Sequence, residues 1–328
     1  MPILKALVGI AAFAISISLA AQQTAPKSST AQPTPSASST QAPQNPPSNL
    51  SIPQRASSGN ADVSEQKDVA YETLGGHDVL LDVYSPIATA QKPRPAVVLI
   101  HGGGWIAFDK NTLANMGRFL ARMGYVAFAV NYRLLQGSDN RWPAQLDDVQ
   151  RAVRWIRANA DKYGVNPDPI GAFGHSAGAQ LAALLGMEDT RDNSDVALAK
   201  YSSRVQAVVD VSGPSDLTLN NGPDDAAFRT NFFGADFATR PDIWRDASPA
   251  FHAAKGDAPF LIFHGTRDQD VPMAQAQELY DKLNAAGVPV KLVKVDDVHT
   301  FTTPEARREL LMETMQFFQQ YLSGGEGQ

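Results

Sequence analysis

The feature that most constrains the fold is a repeated change of period between Asp62 and Tyr321. Short runs rich in β-branched and other apolar residues alternate with stretches whose apolar positions recur every three or four residues. The first pattern suits strands buried on both faces, and the second suits helices packed on one side. Pro95–His101 (PAVVLIH), Val126–Val130, Ile170–Gly174, Val205–Val211, Phe260–His264 and Val288–Val295 read as such strands. Asn111–Met123, Pro143–Asn159, Ser176–Gly186, Gln275–Ala286 and Pro304–Tyr321 read as helices between and after them. In the second of these, Leu146, Val149, Val153 and Ile156 lie at helical spacing behind Pro143, a residue tolerated at a helix start because the first N–H groups need no helical acceptor. Lys67–Thr73 and Asp78–Tyr84 predict two further strands joined at Gly75-Gly76-His77. The alternation implies an α/β fold, a mostly parallel central sheet flanked by helices. One catalytic domain over residues 61–324 accounts for it.

Residues Ser212–Lys255 break the rhythm. They carry Phe228, Phe232, Phe233, Phe237, Trp244 and Phe251 among Asp, Asn, Gly and Pro. This stretch reads as an insertion near the active edge of the sheet. Its aromatics would either wall an acyl pocket or pack on the core as an ordinary connection does.

The N-terminal region differs in composition. Lys5 precedes an apolar run from Ala6 to Leu19, followed by the small residues Ala20 and Ala21. A positive start, a short apolar run and a small-residue site read as a signal peptide over 1–21; the same span approaches the ~20 residues of a membrane anchor. Residues 22–60 are dominated by Ser, Thr, Pro, Gln and Ala, with Lys27 and Arg55 the charges. Such a segment holds too little apolar surface to offset its ordering entropy and is expected to be a disordered linker. An exported protein, periplasmic or secreted, without stable membrane insertion once the leader is removed, is the expectation. Oligomeric state is left open.

Composition excludes several chemistries. The chain has no cysteine, which removes a catalytic thiol, a disulfide scaffold and Cys-ligated metal sites. Its net charge of -6 argues against nucleic-acid binding, which needs a basic footprint. No H-E-x-x-H or H-x-H pair occurs, so no metal site and no cofactor are expected.

Three separated motifs point to one reaction. Gly174-His175-Ser176-Ala177-Gly178 lies between an expected strand and an expected helix. In that setting G-x-S-x-G is a nucleophile elbow, a cramped turn that holds a serine hydroxyl out at a helix N-terminus. His101-Gly102-Gly103-Gly104-Trp105 follows another strand. Its glycines let backbone N–H groups approach an oxyanion, and Gly103, Gly104 and Ala177 are the expected donors. Asp268 follows the strand Phe260–His264, and His299 follows Val288–Val295. The chain order Ser176, Asp268, His299 is that of an α/β-hydrolase triad. Asp270 is the rival acid. His77, His175, His252 and His264 read as structural or solvent-facing, and His101 as orienting its loop.

These motifs, with Asn131-Tyr132-Arg133-Leu134 and Pro143-Ala144-Gln145-Leu146-Asp147-Asp148, resemble the α/β-hydrolase superfamily. Within it the chain is similar to HGGGW-bearing esterases, the group related to hormone-sensitive lipase and to bacterial feruloyl- and acetyl-esterase-like enzymes. The likeness spans about Val69–Tyr321. It implies that Ser176, Asp268 and His299 form the triad and that Gly103, Gly104 and Ala177 form the oxyanion hole. Many relatives have a glycine before the triad histidine, where Val298 stands here. The resemblance implies acyl transfer through an acyl-enzyme on a small-molecule or carbohydrate-linked ester, short-chain or aryl. An amide hydrolase of the same fold, formamidase or peptidase, and a non-catalytic wall-associated binding protein are the alternatives.

Overall fold

A computed structural model of the chain describes residues 62–219 and 223–322. The expected leader (1–21) and linker (22–60) lie outside the described residues. In chain order the elements are β1 (Val63–Leu74), β2 (His77–Pro86), β3 (Arg94–Ile100), a 3₁₀ turn (Lys110–Leu113), α1 (Ala114–Arg122), β4 (Val126–Val130), α2 (Ala144–Ala158), α3 (Ala160–Tyr163), β5 (Val165–His175), α4 (Ala177–Met187) and β6 (Ala207–Val211). Then follow α5 (Pro223–Phe233), α6 (Pro241–Asp246), a 3₁₀ turn (Pro249–Phe251), β7 (Phe260–Gly265), α7 (Met273–Ala285), β8 (Val290–Val295) and α8 (Pro304–Leu322).

The strands form one sheet in the order β1-β2-β4-β3-β5-β6-β7-β8. β1 pairs antiparallel with β2, and β2 antiparallel with β4; every other pair is parallel. The hairpin turn is Gly75-Gly76, with φ of 57° and 83°, and His77 already pairs with Leu74. Two consecutive positive φ values match the right-handed twist of the flanking strands and favour glycine at both positions. After β3 the chain moves to β4 on one side, then returns to β5 on the other. That reversal makes the carboxyl ends of β3 and β5 the switch point of the sheet, the place where open α/β sheets bind ligands.

Alternate strand residues feed two separate cores. Val98, Ile100, Phe128, Val130, Ala172, Val208 and Ile262 face one side, with α2, α4 and α7. Val97, Leu99, Ala127, Ala129, Phe173, Val209 and Phe263 face the other, with α1 and α8. A sheet covered on both faces needs apolar residues at nearly every position; β4 and β6 are buried throughout, with Asp210 the one polar residue in them. α4 is likewise buried along its whole length, which is why its sequence AGAQLAALLGM shows no polar face.

Differences from the sequence reading lie at element ends, where backbone N–H groups are diverted. The helix expected from Asn111 opens as a 3₁₀ turn, capped by the Asp109 carboxylate accepting from the Asn111 N–H. β8 begins at Val290 because the Val288 N–H closes the end of α7 on Leu283 O, 3.0 Å. The 212–255 stretch contains α5 and α6, and three of its aromatics pack on the core as an ordinary connection does. Phe232, Phe233 and Trp244 are buried in the core, whereas Phe237 and Phe251 stay exposed.

His252 fastens this stretch to the core. Its Nδ1 lies 2.6 Å from Glu188 Oε1, and its Nε2 lies 2.9 Å from Asp246 O. With an acceptor at each nitrogen, the charged imidazole is favoured. Burial opposes charge, but the Glu188 carboxylate outweighs it and raises the pKa. A raised folded-state pKa stabilises the protein below the unfolded value of ~6.5, and this contribution is lost as pH rises through the folded pKa. Thermal denaturation across pH 5.5–8.5 should therefore show the wild type losing stability on the alkaline side relative to its acid value, and His252→Gln should show a flatter profile.

Candidate active site

β5 ends at His175, and α4 starts at Ala177. Ser176 makes the whole turn between them, with φ 56° and ψ -123°. This backbone region is costly for any residue with a Cβ, and the surroundings hold it there. The Ser176 N–H donates to Val211 O at 2.8 Å, while Ser176 O accepts from the Ala179 N–H at 2.9 Å. Gly174 and Gly178 are required by crowding. A Cβ on Gly174 would meet Gly178 O at 2.1 Å, and one on Gly178 would meet Ile100 O at 2.2 Å. The elbow is thereby pressed against the end of β3. A Cβ on Gly102 would fall 2.9 Å from His175 O and 3.1 Å from Ser176 Cβ, so the glycine loop runs alongside the serine.

That loop is fixed from both sides. Gly103 O accepts from the N–H groups of Ile106 and Ala107 at 3.1 and 3.0 Å, and Gly103 adopts φ 108°. Among the described residues, none accepts a hydrogen bond from the Gly103 or Gly104 N–H. Ala177, the first residue of α4, also has an N–H without a helical acceptor. Tyr132 braces the loop from behind. Its hydroxyl donates to His101 O at 2.9 Å, and its ring stacks on His101 with centroids 4.3 Å apart. Arg133 is in turn paired with buried Asp148, and the Gln145 amide donates to Arg133 O at 3.0 Å. The sequence singled out these two motifs only through resemblance; here they are the scaffold under the glycine loop.

Trp105 ties the loop to the helix behind the serine. Its Nε1–H donates to Gln180 Oε1 at 3.1 Å, and Gln180 Nε2 donates to Ala247 O at 2.7 Å. Its ring stacks on Phe232 at 4.9 Å. Gln180 is fully buried and joins the glycine loop, α4 and the 212–255 stretch.

Asp268 and His299 come together as the sequence order predicts. His299 Nδ1 lies 2.7 Å from Asp268 Oδ2. The other carboxylate oxygen accepts from the Asp270 and Val271 N–H groups at 2.9 and 2.8 Å. The rival Asp270 thus contributes its backbone to Asp268. His264 Nε2 sits 2.9 Å from Val271 O and 3.4 Å from Asp268 Oδ2; with two acceptors in reach, this nitrogen carries the proton. Burial alone would raise the Asp268 pKa, but the hydrogen bonds from His264 and His299 hold it well below the usual carboxylate range. The ligand atoms of Asp268, Asp270 and His299 lie within 4.8 Å of one another. A cation bound to Asp268 would compete with the hydrogen bonds its oxygens already accept.

Two further groups hold His299. Its carbonyl accepts from His175 Nε2 at 3.1 Å, and the two rings lie 5.1 Å apart. Burial, with help from His299, holds the His175 imidazole down at about 4, so it stays neutral beside its neighbour. Buried Asp297 gathers the following loop: Oδ1 accepts from the Val298 and Thr302 N–H groups, and Oδ2 from the Thr303 N–H and hydroxyl. Val298 is absent from the residues with left-handed φ. Sequence reading missed the positioning parts of Gln180, Tyr132, His175 and Asp297, because their partners are distant in the chain. The signals available were a polar residue inside the otherwise apolar α4 and an acid immediately before the histidine loop.

A sheet with this strand order, a serine elbow beside a glycine loop, and an Asp–His pair on the following strand ends define an α/β-hydrolase. Residues 81–283 match the BD-FAE family, and the chain belongs to it. Esterase LipC of Mycobacterium tuberculosis is 33% identical over 219 residues, 63% of this chain and 52% of LipC. Dipeptidyl aminopeptidase BIII of Pseudoxanthomonas mexicana is 30% identical over 256 residues, 72% of this chain and 34% of that protein. The solved structure of a truncated carbohydrate esterase from gut microbiota superposes with a TM-score of 0.65 at 27% identity, covering 77% of this chain and 96% of that one. The chain spans about half the length of LipC.

Two substitutions test this construction. Gly178→Ala should cost at least ~1–3 kcal/mol of stability, read as a lower urea midpoint, because the contact it closes is backbone on both sides. Gln180→Leu should leave the Asp268–His299 pair intact yet lower kcat on a simple ester with little change in KM, since it frees the donor loop rather than the substrate contacts.

Proposed function

We propose that this protein is a serine carboxylic-ester hydrolase. The observation that carries the reading is the strained Ser176 turn together with the Asp268–His299 hydrogen bond of 2.7 Å. His299 Nδ1–H is occupied by Asp268, which leaves Nε2 as the base for the Ser176 hydroxyl. Ser176 attacks the ester carbonyl as His299 takes its proton. The charged imidazole formed is stabilised by a carboxylate that remains ionised. The N–H groups of Gly103, Gly104 and Ala177 receive the developing oxyanion, each such donor being worth ~3 kcal/mol of barrier. Collapse expels the alcohol, protonated by His299, and leaves an acyl-enzyme. Water, deprotonated by His299, then releases the acid and regenerates Ser176. The substrates proposed are short-chain or aryl esters, including those carried on carbohydrate. The likeness to LipC and to a carbohydrate esterase supports this class.

Amide hydrolysis by the same residues is the second reading, supported by the likeness to dipeptidyl aminopeptidase BIII. Parallel assays on p-nitrophenyl butyrate and on an aminoacyl p-nitroanilide separate the two. The ester reading requires turnover of the first that vanishes in Ser176→Ala, and turnover confined to the anilide would overturn it. Absence of labelling by a serine-directed phosphonate would instead favour a non-catalytic binding role. Asp268→Asn should lower kcat by about 10⁴-fold, as loss of the tautomer-fixing carboxylate does, while Asp270→Asn should leave kcat within a few-fold; the reverse order would identify Asp270 as the acid.

A further inference from the structure

Phe108 occupies an unusual place in the glycine loop. Its φ is 70°, a left-handed conformation that is uncommon for any residue other than glycine and an outlier for a bulky one. The chain on either side is pinned. Before it, the Ile106 and Ala107 N–H groups bind Gly103 O. After it, the Asp109 carboxylate accepts from the Asn111 N–H, and the Lys110 N–H donates to Asn131 Oδ1. Phe108 therefore takes the conformation that this closed turn imposes.

The ring gains little interior burial in return. Phe108 is 41% exposed, while its loop neighbour Trp105 is 6% exposed. What the ring does touch is Gly103: a Cβ there would fall 2.8 Å from Phe108 Cδ2. A half-exposed aromatic ring thus lies next to the glycine whose N–H is the proposed oxyanion donor. Strained non-glycine residues concentrate at ligand-contacting positions, and a large apolar ring open to solvent beside a reacting centre offers a flat surface on which another ring can stack.

We propose that Phe108 is a specificity-determining residue that stacks on a ring of the substrate, selecting ring-bearing esters over simple alkyl ones. The inference rests on the ester-hydrolase reading above. The ring belongs either to an aryl acyl group, which presents a flat apolar face, or to a sugar alcohol, whose axial C–H bonds present an apolar patch.

The test compares wild type with Phe108→Gly and Phe108→Asn, two residues that adopt the left-handed conformation readily. Hydrolysis of ethyl acetate, ethyl benzoate and an acetylated methyl glycoside is followed by pH-stat. Ser176 is titrated in each protein with a small alkyl phosphonate. The expected result is undiminished titration and thermal stability, and a loss of kcat/KM on at least one ring-bearing ester about tenfold larger than the loss on ethyl acetate. The ester that responds identifies which part of the substrate stacks. Wild-type ratios among the three esters, or an equal loss on all three, would overturn the proposal. Failure of the wild type itself to be titrated or to cleave any of the esters would instead strike the ester-hydrolase reading.

Discussion

The structure depends on one close approach of backbone to backbone. The turn after β5 and the first turn of α4 lie directly against the end of β3, at distances that leave no room for a Cβ on Gly174 or Gly178. Because protein interiors resist even a methylene of excess volume, this contact sets the position of Ser176 relative to the His101–Trp105 loop within narrow limits. The parallel β3–β5 pairing, Ile100 opposite Gly174, carries that placement back into the sheet. A reactive centre built on strand ends inherits the rigidity of a core covered on both faces.

The electrostatics are arranged to keep one imidazole adaptable. Two buried carboxylates lie close to His299 in the chain or in space, and each is saturated by hydrogen bonds: Asp268 binds the histidine itself, and Asp297 binds its loop. Carboxylates with full sets of donors remain ionised despite burial. His101 and His175 contribute hydrogen bonds without charge. His101 and His175 are both held down at about 4, chiefly by burial. Neither of these two rings therefore adds positive charge beside the imidazolium that ester cleavage would form at His299. Gln180 and Trp105 perform the matching task on the side of the proposed donors, joining the glycine loop to the helix whose first N–H is one of them.

Much of this was legible in the chain itself. Strand and helix types followed from periodicity, since parallel strands covered on both faces must be apolar at nearly every position. The serine turn was legible because glycine, serine and glycine at fixed offsets between a strand and a helix meet a steric demand that few other residues satisfy. The order Ser176, Asp268, His299 followed from placing each residue just past a strand. Less legible were the ends of elements, such as Val288 and Asn111, where a diverted N–H decides the boundary. The stretch 212–255 was legible only as an interruption. Whether Phe232 or Phe251 turns inward depends on α4 and Trp105, which are contributed by other parts of the chain.

The sequence by itself determined the fold class, the backbone crowding at Gly174 and Gly178, and which serine, acid and histidine are candidates for the site, because these depend on local sterics and residue chemistry. Only the tertiary structure decided how those side chains are held. Asp268 rather than Asp270 faces His299, Tyr132 supports the glycine loop, and Gln180 links three segments through its single amide. Phe108 is left standing half-exposed beside Gly103. Each of these depends on contacts between residues far apart in the chain, and no local pattern encodes such a distance.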